Sequence, residues 1–294
     1  GNDPSALLDA RQRAVDQIAE IVPVRTLQRD NGTIALMTTN GTTLLDGRPV
    51  QFDFTATPTI TADMTLASGA LGGVTVDGVP LSTTSGVGRL DGGSLGAAFA
   101  MRDQTLVQVQ GDLDVIAADL IARFEDTTND PTLAPGDTGI LTDAGGTLDL
   151  TDLPCLAGRI DVNSAIIPAE GGQLRLVRDG LGAAVPGPVG DAAQINRWID
   201  ALQTSRADVA GSQSRSADAR MAVFASDVGS LRLSADEELS FATARWEVLR
   251  EAELANGVDT DVELQTLLRV EQAYAANAKV IQTVDFMMQR LMEI

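Results

Sequence analysis

A chain of 294 residues is long enough for two or three domains with at least one sizeable core, and its 21 Lys and Arg against 41 Asp and Glu leave a formal net charge of −20. That charge makes nucleic acid and anionic membrane poor partners, while a hydrophobic content of 44% excludes a wholly disordered chain. Without histidine, and with Cys155 as its one cysteine, the chain has neither the commonest general base nor the means for a cysteine-based zinc site or an internal disulfide.

Cys155, between Pro154 and Leu156, is expected to pack as a small apolar residue. No stretch approaches the ~18 apolar residues of a transmembrane helix, and "GNDPSALLDARQRAVDQ" does not resemble a signal peptide. No membrane insertion, cofactor or metal is expected.

Residues 3–22, "DPSALLDARQRAVDQIAEIV", predict a helix, with Asp3 and Ser5 as N-cap candidates, Pro4 in the first turn and Pro23 as the stop. From Val24 to Leu90 short alternating runs of Thr, Val, Ile and Phe predict a small antiparallel β domain. Its turn signals are Asn-Gly at 31–32 and 40–41 and Asp-Gly at 46–47 and 77–78.

Residues 91–126 restore the helical period, with Leu95, Phe99, Arg102, Leu106, Val109, Leu113, Ile116, Leu120 and Phe124 stepping by 3 or 4. Gly111 lies in the middle of this rod at a cost of about 1 kcal/mol. Between 127 and 190 Gly, Pro, Asp and Thr abound, and "RIDVNSAIIP" and "GQLRLVRDG" are expected as short β-like pieces. The Asp and Gly clusters there invite a calcium reading, but the ligand spacing and closing Glu of an EF-hand loop are absent, and solvated turns account for them better.

The last hundred residues read as helical. Ile195, Trp198 and Leu202 mark a helix over 191–205, and Met221, Phe224, Val228, Leu231, Ala235, Leu239, Ala242, Trp246 and Leu249 mark a longer one. "ELANGVDTDVEL" interrupts it, with Asn256 and Gly257 as C-cap and Thr260 with Glu263 as a capping box for the next helix. So short a connection predicts two antiparallel helices lying against each other.

In the closing helix Leu267, Val270, Tyr274, Asn277, Ile281, Val284, Met288 and Leu291 alternate steps of 3 and 4. A mean step near 3.5 favours left-handed coiled-coil packing, and an amide inside the seam, Asn277, can fix its register. The seam could be covered by the preceding helix alone. Leu264, Leu268, Phe286, Met287 and Met292 widen the apolar face beyond one partner, however, so a second partner is expected.

The organisation expected is α+β, a long-helix bundle or coiled-coil rod domain with an inserted antiparallel β domain. The rod comprises 1–23 with 91–126 and 191–258, the insert 24–90, an irregular β-containing segment 127–190, and a C-terminal coiled-coil assembly helix 259–294.

"NGVDTDVELQTLLRVEQAYAANAKVIQTVDFMMQRLMEI" resembles the C-terminal segment of bacterial flagellar axial proteins, whose Gln-Ala-Tyr-x-Ala-Asn-Ala core falls here on Gln272, Ala273, Tyr274, Ala276, Asn277 and Ala278. Rod, hook, junction and filament proteins share that ending. "PSALLDARQRAVDQIAEIVPVRTLQRDNGTIALMTTNGTTLLDG" and the Gly-Gly-x-Leu-x-x-x-x-x-x-Arg-Asp helix of "GGSLGAAFAMRDQTLVQVQGDLDVIAADLIARF" are similar to segments of the hook-associated protein 1 family. The resemblance spans nearly all of 3–294, with 127–190 matching loosely. The chain is expected to be a fragment lacking the family's N-terminal helical segment with its Asn-Ile-Ala-Asn motif.

The resemblance implies a structural protein without enzymatic activity. Such a protein is secreted through the flagellar type III apparatus, stands outside the cell in the flagellum, and forms a junction ring between hook and filament by self-association. Its implied partners are the hook protein, the second junction protein and, before export, a chaperone on the C-terminal helix; the seam from Leu267 to Leu291 is the expected assembly surface, and the β domain is expected to point outward. The alternatives are a second junction protein or flagellin-like filament protein, and further off a secreted adhesin or surface-layer module. A glycoside hydrolase would need a carboxylate pair in a cleft with aromatic platforms, for which a 3% aromatic content is poor material.

Overall fold

The structure is a computed structural model that describes residues 5–83, 88–211, 213–256 and 260–292; the side chains of 254, 256, 260–264, 280 and 284–292 are outside that description. The fold is α+β, in two compact units, Gly1–Ser226 and Asp227–Ile294.

The first unit opens with α1 (Ser5–Ile21), which buries Val15 and, just past its end, Val22. Of the expected N-cap candidates Asp3 lies outside the described residues, as does the first-turn Pro4, and Ser5 is the first helical residue described. Four strands follow as an antiparallel meander: β1 (Val24–Gln28), β2 (Ile34–Thr38), β3 (Thr43–Asp46) and β4 (Arg48–Pro49). A second sheet places β5 (Phe52–Phe54) beside β6 (Val74–Val76), itself paired with β7 (Val79–Leu81). All four turn signals fall between or just beyond paired strands. At two of them both turn residues have positive φ, 60° and 74° at Asn31 and Gly32, 46° and 79° at Asp77 and Gly78, conformations that Asn, Asp and Gly tolerate best.

The rod begins as α2 (Gly93–Ala100), widens into one π-helical turn over Met101–Thr105 and continues as α3 (Leu106–Glu125). Val22, Val74, Leu90 and Phe99 form the core where sheet and helix meet. Two glycines make that joint possible: Gly92 and Gly93 have φ of 91° and 65°, a Cβ on Gly92 would stand 2.6 Å from Pro23 Cγ, and one on Gly93 would collide with the Ile21 carbonyl. The Gly-Gly of the sequence motif is therefore where the start of α2 presses against the end of α1.

Farther along α3 the buried face is Asp114, Ala117, Ala118, Asp119, Ile121, Arg123 and Phe124. This corrects the expected seam, since Leu113, Ile116 and Leu120 are only half-buried and Leu106 is 55% exposed. The alanines let neighbouring chain come close, and Leu156 completes a core with Ala117, Ala118 and Ile121.

That neighbouring chain is 127–203. It holds a hairpin of β8 (Leu141–Asp143) and β9 (Ile160–Val162), the short helices α4 (Leu156–Arg159) and α5 (Arg175–Asp179), and α6 (Ala193–Gln203). "RIDV" forms the expected strand, but "GQLRLVRDG" contains α5 instead. Leu176 is buried, the Gly180 N–H bonds the Leu176 carbonyl, and Gly180 at φ 100° turns the chain out of the helix. Phe124 and Trp198 pack with ring centres 5.3 Å apart, and the Trp198 indole donates to the Val177 carbonyl at 3.2 Å. Cβ atoms on Gly139 and Gly182 would meet the backbone of Phe124 and Thr132, so the glycines of this segment serve close packing as well as turns.

Two long helices close the chain, α7 (Ala217–Asn256) and α8 (Thr260–Met292). The expected caps at Asn256, Gly257, Thr260 and Glu263 lie outside the described residues.

Gly93→Ala should lower the unfolding free energy of the first unit by at least about 2 kcal/mol, from left-handed strain and collision with α1. Gly111→Ala, in open space at a normal helical φ, should raise it by about 1 kcal/mol. Thermal denaturation of the two variants beside the parent chain checks both signs.

Candidate assembly surface

Helix α8 carries the expected seam. Leu267, Val270, Tyr274 and Ile281 are 69%, 63%, 78% and 68% exposed, with Asn277 exposed among them. Val284, Met288 and Leu291 continue the same helical register, their side chains outside the described residues. Leu268, 46% exposed, broadens the strip.

Among the described residues the preceding helix does not cover this face. Among the described residues of 227–256 and 265–283 no side chain is buried, contrary to the expectation that α7 and α8 lie against each other. The distribution of apolar residues around α7 gives a reason. At 3.6 residues per turn Val228, Leu231, Leu239, Trp246 and Leu249 share one side, while Phe241, Val248 and Leu233 lie across the helix. A helix apolar on opposite sides needs partners on both, and a single neighbour leaves one side wet.

The root of α7, within the first unit, is fixed by a buried ionic cluster that periodicity does not show. The fully buried Arg123 donates through Nε to Asp119 Oδ2 at 2.8 Å, and its other nitrogens reach the carbonyls of Ala201, Thr204 (2.7 Å) and Arg215 (2.9 Å). Arg206 Nε donates to Asp119 Oδ1 at 3.0 Å. Arg220, on the first turn of α7, donates to Asp208 Oδ2 at 2.7 Å and to the Arg206 carbonyl, and its Nε lies 3.2 Å from Asp119 Oδ2 without hydrogen-bond alignment. The Asp119–Arg123 spacing of four was the available signal in the sequence; the partners from 206–220 were not visible there.

The calcium reading gives way to turn chemistry. Asp126, Asp130 and Asp149 each accept from the N–H and hydroxyl of the Thr two residues on, Thr128, Thr132 and Thr151. Asp114 is likewise engaged, accepting from Cys155 N and Ala157 N at 2.8 Å each. Cys155 is half-buried at the start of α4 with φ 66°, its thiol pushed up by burial and by the Asp114 charge. Among the described residues there is no cluster of potential metal ligands, and no helix is long and apolar enough to cross a membrane.

The Arg-Asp of the rod motif also has a structural place. Arg102, on the π-helical turn, lies over Phe99 with its guanidinium 4.9 Å from the ring centre and is held by Asp103 at 2.5 Å.

Among the described residues α8 shows an exposed apolar seam and α7 is apolar on two sides. Residues 1–140 match the family described as the flagellar hook-associated protein FlgK helical domain, and residues 255–294 match the flagellar basal body rod FlgEFG protein C-terminal family. The molecule is thus a structural protein of the bacterial flagellar axis. The first match covers 140 of the 294 residues and the second 40, and together they support a flagellar hook-associated protein 1. A search among curated proteins gives no match.

Arg123→Met should cost about 3–5 kcal/mol in urea unfolding, because it leaves Asp119 short of a partner and takes the guanidinium donors from the Ala201 and Thr204 carbonyls. The exposed pair Arg29–Asp46, broken by Arg29→Ala, should cost under about 1 kcal/mol.

The pH dependence follows from the carboxylates. Asp149, bonded by Thr151, Asp179, held by Arg178, and Asp218, bonded by Ser216, all titrate below the ordinary 3.8. The folded chain therefore binds their protons more weakly than the unfolded chain, and their contribution is present above 3.8 and lost as pH falls through and below it. Glu125 runs the other way, raised above 4.5 by burial, so its contribution is present below 4.5 and lost as pH rises through the folded value. Urea midpoints should therefore fall as pH is lowered through and below about 3.8, where Glu125 no longer changes, and Asp149→Asn should flatten that fall.

Proposed function

We propose that the chain forms the junction between hook and filament, with the seam of α8 as its innermost assembly surface. The reading is supported by the hook-associated family match over 1–140 together with one observation, a helix of 33 residues whose apolar strip from Leu267 to Ile281 is open to solvent. Opening such a strip to water is unfavourable by roughly 25 cal/mol per Å² of apolar area. A helical partner that buries it supplies the drive to assemble, and the family's N-terminal helical segment is the partner of matching form.

In this reading Leu267, Val270, Tyr274, Asn277, Ile281, Val284, Met288 and Leu291 face that helix. Copies associate into a ring that meets the hook protein on one side and the second junction protein on the other, with the β sheets of 24–81 turned outward. Before secretion through the type III apparatus the same face is taken by an export chaperone, as an amphipathic helix in a groove. The chemistry asked of the chain is packing and register; no reaction step is assigned to it.

Ile281→Asp places a charge in the middle of the strip, in the second unit. Cells carrying this variant in place of the parent should secrete hooks without attached filaments, while the purified chain keeps its thermal transition. Normal filament attachment in those cells would remove the seam from the assembly surface.

A further inference from the structure

The segment between β5 and β6, residues 55–73, holds neither helix nor strand and closes on itself. Its two legs meet at a neck, where a Cβ on Gly72 would stand 2.7 Å from the Thr55 carbonyl oxygen, and Leu71 is buried at its root. Compact loops with their ends together are recurrent functional elements.

The hydrogen bonds of 56–71 stay inside the loop. The Thr65 N–H donates to the Ser68 hydroxyl at 3.1 Å and the Ser68 N–H to the Thr65 hydroxyl at 3.0 Å. Met64, Gly69 and Leu71 donate their N–H groups to the carbonyls of Thr61, Leu66 and Thr65. Among the described residues no hydrogen bond or ion pair runs from 56–71 to α2 or α3. The loop is an internally braced body without polar ties to the rod, so moving it breaks no hydrogen bond between them.

Between loop and rod lies open apolar space. Two adjoining cavities of about 510 and 460 Å³ have Ile60, Ala62 and Met64 on the loop side and Met101, Leu106 and Val107 on the rod side. Ile60 is 53% exposed, Met101 51% and Leu106 55%. Apolar walls that meet across such a space withdraw area from water, which is favourable. The polar groups nearby are already engaged, Asp114 by the N–H groups of Cys155 and Ala157 and Arg102 by Asp103. Gly69, at φ 75°, and Gly73, with Leu66 Cδ1 at 3.8 Å as its near neighbour, give the returning leg backbone freedom beside the neck.

We propose that residues 56–71 are a flap that shuts this groove, seating Ile60 against Met101 and Leu106, and that the structure holds its open form. The occupant of the groove is then the chain's own loop, which hides the apolar lining while the chain is free. The flap needs no second copy and no place in the flagellum to operate.

Methionine oxidation by dilute peroxide reads the difference, because the sulfur must be reached from solvent. Met101 and Met221 are 51% and 52% exposed, and a groove that stays open leaves them equally reactive. In the dilute full chain, with each peptide's rate divided by its rate in urea-unfolded chain, Met101 should react at least about threefold more slowly than Met221, since it is reached only while the flap is open. Ile60→Asp, at an exposed position, should bring Met101 up to the Met221 rate while Met37, half-buried on β2, keeps its own. Equal Met101 and Met221 rates in the parent chain, or a slow Met101 that Ile60→Asp leaves unchanged, would each overturn the proposal. If Met37 also speeds up in the variant, the parent comparison decides alone.

Discussion

The first unit depends on one buried guanidinium. Arg123 is wholly withdrawn from water, and its bonds reach Asp119 on its own helix and three carbonyls from 201–215. A buried cation is tolerable only when its donors are met, so the end of α6, the 206–215 bridge and the start of α7 are obliged to gather round it. Asp119 carries the arrangement onward by receiving Arg206 and standing beside Arg220. A bare hydrophobic contact at this place would tolerate sliding; the fork geometry of arginine does not.

The same economy of contact appears where the β region joins the rod. Gly92 and Gly93 bring α2 against α1, Leu95 and Phe99 meet the sheet through Val74 and Leu81, and Arg102 closes the far side over Phe99. The Gly-Gly-x-Leu…Arg-Asp motif is thus a packing motif. Gly92 and Gly93 stand where a Cβ would collide, Leu95 packs against the core, and Arg102 covers Phe99.

Much of this was legible beforehand for physical reasons that can be named. Asn-Gly and Asp-Gly pairs announce positive φ, and Asn31, Gly32, Asp77 and Gly78 adopt it. Long 3 and 4 spacings announced the helices, α8 among them. What escaped was set by tertiary contact. The buried face of α3 is shifted onto Asp114, Ala117, Ala118 and Ile121 because small and charged residues, not the leucines, meet the 127–203 segment. Leu174, Arg175 and Leu176 alternate like a strand, yet 175–179 coil into a helix stopped by Gly180, and the bonds from 201–215 to Asp119 and Arg123 join positions roughly 80 to 90 apart that no local pattern links. The packing of α7 on α8 was inferred from a short connection, and a helix apolar on two sides defeats that inference.

The central claim is that α8 carries its apolar seam for a partner helix supplied by assembly. Amide hydrogen exchange of the chain alone, comparing 265–283 with 113–125, addresses it most directly. The account predicts fast exchange along 265–283 beside slow exchange along the buried half of α3, and slowing of the former when the axial assembly forms. Equal, strong protection of both segments in the isolated chain would mean that α8 is already satisfied within it, and would contradict the account.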